Sequence, residues 1–487
     1  MGGKTILVID AGTTSVRAML FARDGTCLGV EARELAQSYP RPGWVEQDAA
    51  EIWTSSLACA RAMVERAGGA ERIAGLGIAN QRETVIFWSK RTGAPLAPAI
   101  VWQDRRTAEM CAQLEEAGYE AAVQAKTGLL LDPYFSASKI AWALANWPDV
   151  AGAGDDLAVG TVESWLIFKL TGGLHVSDAS NAARTALMDI NAGRWDAGLC
   201  DLFGVAPRTL PEIVDCAGRI GETEAFGAPI PICGVAGDQQ AAAIGQSCLS
   251  PGATKATYGT GAFVLTNTGA EARASTNRLL TTIAWQIGGT RAYALEGSVF
   301  VAGSLVKWLR DALGLLATAE ETEALARSVP DNAGLYLVPA LVGLGAPWWR
   351  PEARGALAGL NFGATRAHVA RAALEAQSYQ THDLMTAFAA DGAKWRELRI
   401  DGGMAANAWL AQDLSDMLGV EVERPHFIET TALGAAMLAG VGSGLFATLD
   451  EAAAMRGRVD RFAPAMAGET RAARLDGWRR AVESVLI

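Results

Sequence analysis

Short apolar runs that stop at polar or glycine-rich residues recur along the chain and predict β-strands. Residues 4–10 form one such run, and after a short turn a second run covers residues 16–21, which is the pattern of a hairpin. Residues 49–66 carry apolar side chains at helical spacing. Residues 73–78 then predict a buried strand that ends at Asn80.

The middle of the chain repeats this organisation. Residues 231–235 predict a strand, and a helical run follows over residues 239–246. Two further apolar runs, residues 254–258 and 262–267, flank a Gly-Thr-Gly turn. Because strands alternate with helices, the chain is predicted to be α/β. The echo of the opening hairpin predicts two halves built alike.

The chain is longer than one hydrophobic core usually organises. With 487 residues, two domains are expected. We place the boundary near residue 248, so that residues 1–248 form the N-terminal domain and residues 249–487 the C-terminal domain. Ligands of α/β folds collect at strand ends, and we expect them here in a cleft between the domains.

The charge balance argues against a nucleic-acid partner. The chain has 42 Lys+Arg against 53 Asp+Glu, a formal net charge of −11, and no block of basic residues. A nucleic-acid binder needs a basic surface to neutralise phosphates. An acidic protein can still bind ATP, but it needs a metal ion and backbone N–H groups at the phosphates.

The cysteines and the apolar segments lead us to expect a cytoplasmic protein. Seven cysteines without a CxxC pair favour reduced thiols over a zinc site or a disulfide framework. The opening MGGKTILVID lacks the long apolar region of a signal peptide. Residues 433–446 fall short of the ~18 residues that a membrane span needs, so we expect a buried helix there and no membrane insertion.

The first hairpin turn carries groups that suit a phosphate. It combines a carboxylate, a glycine, hydroxyls and a cation in the residues Asp10, Gly12, Thr13, Thr14, Ser15 and Arg17. Hydroxyls and N–H groups can donate to phosphate oxygens, and the carboxylate can hold Mg²⁺ directly or through water. The P-loop sequence GxxxxGK[ST] is absent. An ordinary hairpin turn uses the same residue types, so both interpretations stay open for this segment alone.

Two more glycine-rich turns lie in the second half. Gly259-Thr260-Gly261 is a second hydroxyl-bearing turn. At residues 401–407, DGGMAAN, Gly402-Gly403 could admit a flat ring and Asn407 could reach its edge. Taken alone, this junction is better explained by a plain helix start.

A polar cluster in the first half suits a small polyol. Residues 80–83, Asn-Gln-Arg-Glu, follow an apolar strand, and burying four polar side chains is costly unless they bind each other or a ligand. Arg82 and Glu83 offer donors and acceptors to hydroxyls, while Trp102 and Tyr134 add an aromatic wall for the C–H face. The alternatives are a surface salt-bridged turn and a tryptophan of the core.

Asp238 lies between a predicted strand and a predicted helix. A carboxylate at this position can accept a proton from a substrate hydroxyl. Aspartate before a helix is also a common N-cap, and alone that interpretation is the safer one.

Taken together, these segments resemble the FGGY carbohydrate kinases nearly from end to end. The stretches that carry the resemblance are DAGTTSVRA (10–18), YPRPGWVEQD (39–48), NQRET (80–84), AIVWQDRRTAE (99–109), TGLLLDPYFSASK (127–139), GVAGDQQAA (234–242), TYGTGAF (257–263), ALEGSVFVAGSLVKWLRD (294–311), GLGAPWW (343–349) and DGGMAAN (401–407). The second family signature is met from Gly355 to Glu375, and the first, near residues 134–146, is met in part. The resemblance implies two ribonuclease-H-like α/β domains, as in actin and hexokinase, around a central cleft.

The resemblance also implies an activity and its residues. Mg-ATP would phosphorylate glycerol to sn-glycerol 3-phosphate, releasing ADP, with Asp238 as the catalytic base. Glycerol would bind Arg82, Glu83, Trp102, Tyr134, Asp238, Gln239 and Phe263. ATP would bind Thr13, Thr14, Ser15, Arg17, Thr260, Gly303, Gly403 and Asn407, and Mg²⁺ would lie near Asp10 and Asp238. The polyol site and first phosphate hairpin would belong to the N-terminal domain and the nucleotide site to the C-terminal domain.

Some family features are not reproduced. Several bacterial members carry a Gly-Gly-x-Arg loop that binds fructose 1,6-bisphosphate, but residues 225–230 here lack the arginine. Residues 464–478 do not reproduce the acidic pattern that contacts a phosphotransferase-system regulator in some relatives, and Lys307 replaces a common glutamine near the nucleotide. We therefore expect neither inhibition by fructose 1,6-bisphosphate nor control by a phosphotransferase-system regulator. We expect a homo-oligomer, a dimer or a tetramer.

Two other functions remain compatible with parts of the pattern. One is a kinase for another polyol or a ketose such as xylulose, and the other is a non-catalytic nucleotide switch of the actin type. The set Asn80–Glu83, Trp102 and Tyr134 favours glycerol over larger acceptors, and Asp10 and Asp238 argue against a switch.

Overall fold

The centre of the molecule is a sheet of thirteen strands, seen in a computed structural model that describes residues 4–350 and 352–486. The strands of the first half are β1 (Thr5–Ala11), β2 (Ser15–Phe21), β3 (Cys27–Glu34), β4 (Glu46–Gln47), β5 (Ile73–Asn80), β6 (Ile86–Ser89), β7 (Ala99–Ile100), β8 (Leu157–Gly160), β9 (Val176–Asp178), β10 (Met188–Asp189), β11 (Arg194–Trp195), β12 (Glu212–Val214), β13 (Ala217–Thr223) and β14 (Ile230–Gly237). Those of the second half are β15 (Ala253–Tyr258), β16 (Ala262–Gly269), β17 (Leu280–Ile287), β18 (Thr290–Val299), β19 (Tyr336–Val338), β20 (Ala356–Ala358), β21 (Glu397–Asp401), β22 (Glu421–Pro425) and β23 (Val459–Phe462).

Helices separate and cover these strands. In the first half they are α1 (Ala49–Ala67), α2 (Ala108–Glu116), α3 (Glu120–Thr127), α4 (Ser136–Asn146), α5 (Pro148–Gly152), α6 (Val162–Thr171), α7 (Ala179–Ala182), α8 (Ala197–Leu202) and α9 (Asp238–Gly245). In the second half they are α10 (Gly303–Asp311), α11 (Glu321–Arg327), α12 (Arg366–Ala390), α13 (Ala408–Leu418), α14 (Thr430–Gly442), α15 (Leu449–Ala452) and α16 (Gly468–Glu483). The strands and helices predicted from the hydrophobic pattern are confirmed, with ends shifted by up to four residues.

The sheet contains two runs of strands with the same topology. The order is β3-β2-β1-β5-β14 in the first half and β18-β16-β15-β21-β22 in the second. In each run the first three strands are antiparallel, and the last two continue in parallel from the third. This duplication confirms the predicted α/β class and the two similar halves.

The two runs are joined into one sheet by a narrow contact. Strand β13 pairs with β14, and β17 pairs with β18, both antiparallel. Between β13 and β17 only Ala217 and Ile287 are paired, in parallel. The join was not predicted from the sequence because it links strands with no local pattern in common.

Strand β1 is covered on both faces, which explains its unbroken apolar run. Alternate residues of a strand face opposite sides of the sheet. Leu7 and Ile9 pack into one core with Ile52 of α1. Ile6 and Val8 pack into another core that includes α14. Helix α14 belongs to the second half in sequence but covers the sheet of the first half.

Helices α9 and α14 pack closely because glycines face backbone at their contact. A Cβ on Gly434 would overlap the carbonyl oxygen of Ala241, and one on Gly245 would overlap that of Thr430. The buried helix predicted near residues 433–446 is confirmed as α14. Because α9 begins at Asp238, this contact fixes the helix that carries the predicted base. Within the described residues, no helix has both the length and the apolar character needed to cross a membrane.

Candidate active site

Three parallel strands of the first half deliver polar residues to one edge of the sheet. Asp10 lies near the end of β1, Arg82 follows the end of β5, and Asp238 follows the end of β14. The register pairs Asn80 of β5 with Gly237 of β14, so these strand ends are level. In the second half β15 and β21 end in the same way, before the turns at Thr260 and Gly403.

The polar residues after β5 are buried, so the surface turn considered from the sequence is wrong. Asn80, Gln81, Arg82 and Glu83 are each 3 % exposed or less. Asn80 donates to the Glu163 carboxylate at 2.9 Å. Burial with internal hydrogen bonds is the arrangement that such a cluster requires.

Arg82 and Glu83 belong to a buried network of four charges. Glu296 Oε2 accepts from Arg82 Nη1 at 2.5 Å, and its Oε1 accepts from Arg82 Nη2 at 3.1 Å and Arg184 Nη2 at 2.9 Å. Glu83 accepts from Arg184 Nε at 2.7 Å and has a left-handed backbone with φ of 61°. Burial raises the pKa of Glu296, but Arg184 and Arg82 more than offset this and bring it to about 2. Strained backbone held by such contacts is typical of functional sites.

The other donors of Arg82 also face protein groups. Nη2 lies 3.3 Å from the Tyr134 hydroxyl, Nε lies 3.3 Å from Asp238 Oδ1, and Nη1 lies 3.3 Å from Gln240 Oε1. The Arg82 side chain is 2 % exposed. In this structure Arg82 therefore orients the residues around it more than it faces the cleft.

Aromatic side chains from both halves form one wall. The ring of Trp102 lies 5.6 Å from that of Tyr134 and 6.3 Å from that of Phe263, measured between centroids. Both contacts are edge-to-face, a favourable geometry for aromatic pairs. The wall therefore brings the three predicted aromatic residues together.

Asp238 is the first residue of α9, so its interpretation as the N-cap is wrong. The N-cap is Gly237, and no side chain caps this helix. Asp238 Oδ1 accepts from the Gln239 backbone N–H at 2.7 Å and faces Arg82. Oδ2 has no hydrogen-bond partner among the described residues, and about a third of the side chain (34 %) is exposed. Oδ2 is therefore the oxygen left for a ligand.

The Gln239 side chain is held in one orientation by a buried lysine. Lys255 Nζ donates to Gln239 Oε1 and, at 2.9 Å, to Thr257 Oγ1. Burial lowers the pKa of Lys255, while Asp401 and Asp238 oppose this. Because its oxygen is occupied, Gln239 offers its Nε2 group to a ligand.

Thr13 connects the phosphate turn to the aromatic wall. Trp102 Nε1 donates to Thr13 Oγ1 at 2.9 Å, and Gln47 donates to the Thr13 carbonyl at 2.6 Å. Since the hydroxyl oxygen accepts from Trp102, its own proton is free to donate to a phosphate. Thr14 is exposed, and Ser15 is partly exposed.

An ion pair crosses between the halves beside this turn. Arg17 of β2 pairs with Glu429, the residue before α14. Both side chains are more than a third exposed (37 % and 38 %), so solvent and ligands reach them. Arg17, the cation predicted to bind phosphate, is thus paired with a carboxylate of the second half.

The carboxylates near Asp10 suit a divalent cation that also binds phosphate. Burial raises the pKa of Asp10 to about 7; Arg17 opposes this shift, and Asp238 and Glu429 add to it. Residues 4–350 and 352–486 contain no group of three or more His, Cys, Asp or Glu arranged to hold a metal ion. The donor set fits Mg²⁺, which commonly uses one or two carboxylates and takes its other ligands from phosphate and water.

A cavity of about 700 Å³ opens beside the turns of the second half. Its lining includes the four nucleotide residues predicted there, which are Thr260, Gly303, Gly403 and Asn407. The volume is typical of a site for a small molecule or cofactor. The first-half residues Thr13, Thr14, Ser15 and Arg17 are not part of this lining.

Asn407 is the N-cap of α13, so the plain helix start weighed from the sequence is correct. Its Oδ1 accepts from the Leu410 N–H at 2.9 Å, and its Nδ2 lies 3.3 Å from Thr322 Oγ1. Gly402 has φ of 85°, and a Cβ there would lie 2.5 Å from the Tyr258 carbonyl oxygen. The junction therefore needs glycine for its close approach to β15.

Models of one protein family match both halves of the chain. The N-terminal domain of the FGGY family of carbohydrate kinases matches residues 5–245, and the C-terminal domain matches residues 254–443. The chain belongs to the FGGY family of carbohydrate kinases. The expected fold of two ribonuclease-H-like halves is therefore confirmed by the family as well as by the strand order.

Relatives of this FGGY kinase cover nearly its whole length. A curated glycerol kinase of Gluconobacter oxydans is 54 % identical over 99 % of the chain and 95 % of the relative. One of Rhodospirillum rubrum is 53 % identical over 99 % of the chain and 98 % of the relative. The crystal structure of Plasmodium falciparum glycerol kinase with ADP has a TM-score of 0.94, is 35 % identical, and covers 100 % of this chain and 99 % of its own.

Three buried charges of the FGGY site were not found from the sequence. They are Arg184, Lys255 and Glu296, all at most 1 % exposed. The available signal was a charged residue inside an apolar run: Lys255 interrupts β15, and Glu296 interrupts β18. A charge in a buried central strand needs a partner, which points to a network.

Proposed function

We propose that this FGGY kinase transfers the γ-phosphoryl group of ATP to glycerol and releases sn-glycerol 3-phosphate and ADP. The observation that carries the proposal is identity above 50 % to curated glycerol kinases over 99 % of the chain. A site of buried donors, acceptors and aromatic rings supports it. Such a site suits an acceptor with several hydroxyls on a short carbon chain.

In this proposal Asp238 is the general base. Its free Oδ2 takes the proton of the attacking hydroxyl, while Oδ1 stays bound to the Gln239 N–H. Glu83 accepts from a glycerol hydroxyl, and Gln239 and Tyr134 contact the others. Arg82 binds a glycerol hydroxyl and also holds this set together, and Trp102 and Phe263 pack against the C–H face. Positioning of this kind is the main contribution of a protein to phosphoryl transfer.

Asp10 and Asp238 would hold Mg²⁺, and the metal would neutralise charge on the phosphates. Thr13, Thr14, Ser15 and Arg17 would donate to phosphate oxygens from the first half. Thr260 and Gly303 would do so from the second half, where Gly403 and Asn407 would bind the adenosine end. Arg17 must exchange Glu429 for phosphate when ATP binds.

We also propose a domain boundary near residue 248. The polyol site and the first phosphate turn would then lie in residues 1–248, and the nucleotide site in residues 249–487. The gap between the two family matches, which falls at residues 246–253, supports this position.

The deciding experiment is ADP release by the purified protein with Mg-ATP and glycerol. Formation of sn-glycerol 3-phosphate, read with a stereospecific dehydrogenase, identifies the product. A panel with xylulose and other polyols tests the rival kinases, and glycerol should give the highest kcat/KM. ATP binding without acceptor-dependent ADP release would favour a nucleotide switch and reject the proposal.

Three further proposals concern the state of the enzyme. The protein is proposed to work in the cytoplasm as a homo-oligomer, dimer or tetramer; seven free cysteines support a reducing compartment. Light scattering after gel filtration tests the oligomer. Fructose 1,6-bisphosphate is proposed not to inhibit, because the loop between β13 and β14 lacks an arginine at residues 225–230. Titration of activity with that sugar tests this point.

A further inference from the structure

The polyol-binding residues of the first half are held by a carboxylate of the second half. Glu296 lies on β18, is 1 % exposed, and accepts three hydrogen bonds from Arg82 and Arg184. Its distance along the chain from these arginines is 214 and 112 residues. No ligand is needed to explain its burial, because both oxygens are paired within the protein.

Arg82 is the group through which Glu296 reaches the reaction. The two terminal nitrogens of Arg82 bind Glu296 side by side, the geometry in which a guanidinium is most firmly oriented. With that end fixed, Nε is left 3.3 Å from Asp238 Oδ1. Nη2 is also left 3.3 Å from the Tyr134 hydroxyl.

We propose that Glu296 is a positioning residue of the polyol site, which fixes Arg82 and thereby leaves Asp238 Oδ2 free to act as the base. The proposal rests on the function proposed above. Without the carboxylate of Glu296, the nearest anions for Arg82 are Asp238 and Glu83, at 3.3 and 3.8 Å from Nε. The guanidinium would turn toward them, pull the Asp238 carboxylate out of its present orientation and so displace Oδ2, the oxygen that must accept the proton.

The experiment compares Glu296→Gln with Glu296→Asp and with a matched control. Glutamine keeps the shape but removes the charge and points an amide N–H at an arginine donor. Aspartate keeps the charge one methylene further away. Glu423→Gln is the control, because Glu423 is a buried carboxylate of β22 that pairs with Arg456 at 2.6 Å and Arg461 at 3.0 Å, away from the polyol residues.

Kinetics separate a positioning role from a loss of stability. In Glu296→Gln we expect the KM for glycerol to rise at least about tenfold, the loss typical of a charged hydrogen bond. We expect kcat to fall about 100-fold, the cost of a misplaced reacting group. The KM for ATP should stay within about twofold of wild type, and Glu296→Asp should recover part of kcat. Glu423→Gln should lower Tm but leave kcat and the KM values for glycerol and ATP unchanged.

Two results would overturn the proposal. One is wild-type glycerol kinetics in Glu296→Gln, and the other is equal kinetic damage in Glu423→Gln at a similar Tm. If Glu296→Gln does not fold, Glu296→Asp decides: unchanged kcat and glycerol KM overturn the role. If wild-type protein does not phosphorylate glycerol, the proposed function fails separately, and the same variants are then judged with the acceptor that wild type does use.

Discussion

Replacing Asp238 with asparagine is the most direct test of the proposed base. The amide oxygen of asparagine can still accept from the Gln239 N–H, a bond of 2.7 Å in wild type. Its amide nitrogen takes the place of Oδ2 and cannot accept a proton. General-base catalysis is typically worth ~10²–10⁴-fold, so kcat should fall at least about 100-fold. That loss corresponds to a barrier higher by about 2.7 kcal/mol.

The same substitution should leave the fold almost intact. Arg82 keeps Glu296 as its partner, so no buried guanidinium is left without an anion. We expect the free energy of unfolding to fall by about 1 kcal/mol or less, the scale of one hydrogen bond. ADP release in a coupled assay gives kcat, and a urea melt gives stability. Asp383→Asn is the control. The carboxylate of Asp383, in α12, accepts a hydrogen bond from the Trp478 indole, in α16.

Turnover of Asp238→Asn within about tenfold of wild type would refute the assignment of the base, given the range expected for such catalysis. Equal losses in Asp383→Asn would show instead that the assay reports folding.

Three further predictions test the neighbours of the site. Trp102→Phe removes the bond to Thr13 and should raise the KM for both glycerol and ATP by roughly fivefold, as expected for a neutral hydrogen bond. Lys255→Met frees the Gln239 amide and should raise the KM for glycerol about tenfold, with a smaller change for ATP, in steady-state kinetics. Lys139 donates to the carbonyls of residues 133–135, and burial lowers its pKa to about 8. Its ammonium is present below that pH, so the KM for glycerol should rise as pH increases through 8, and a flat pH profile would contradict this.

The parts of the fold that depend on neighbouring residues were predictable from the sequence. Strand β1 and the hairpin with β2 follow from an apolar run, a turn and a second apolar run. The repeat of this pattern at β15 and β16 predicted two similar halves, which the strand order confirms. Asp10 was placed correctly near the end of a buried strand, and Asp238 directly after one.

The parts that depend on distant residues were not predictable. Arg82 was expected in the polyol site, but the carboxylate that holds it, Glu296, was not expected there because it lies 214 residues further along the chain. The N-cap interpretation of Asp238 failed for a local reason, since Gly237 takes that position and the carboxylate begins the helix. Periodicity cannot show which buried charges meet, because the pairing is set by the tertiary fold.

The wide separation of Glu296 from its arginines has a consequence for biosynthesis. Arg82 and Arg184 leave the ribosome long before β18 exists, so a growing chain carries both guanidiniums without their shared carboxylate. The proposed polyol site is therefore complete only after most of the polypeptide has emerged. A prematurely terminated product that ends before Glu296 therefore lacks the carboxylate that both arginines share.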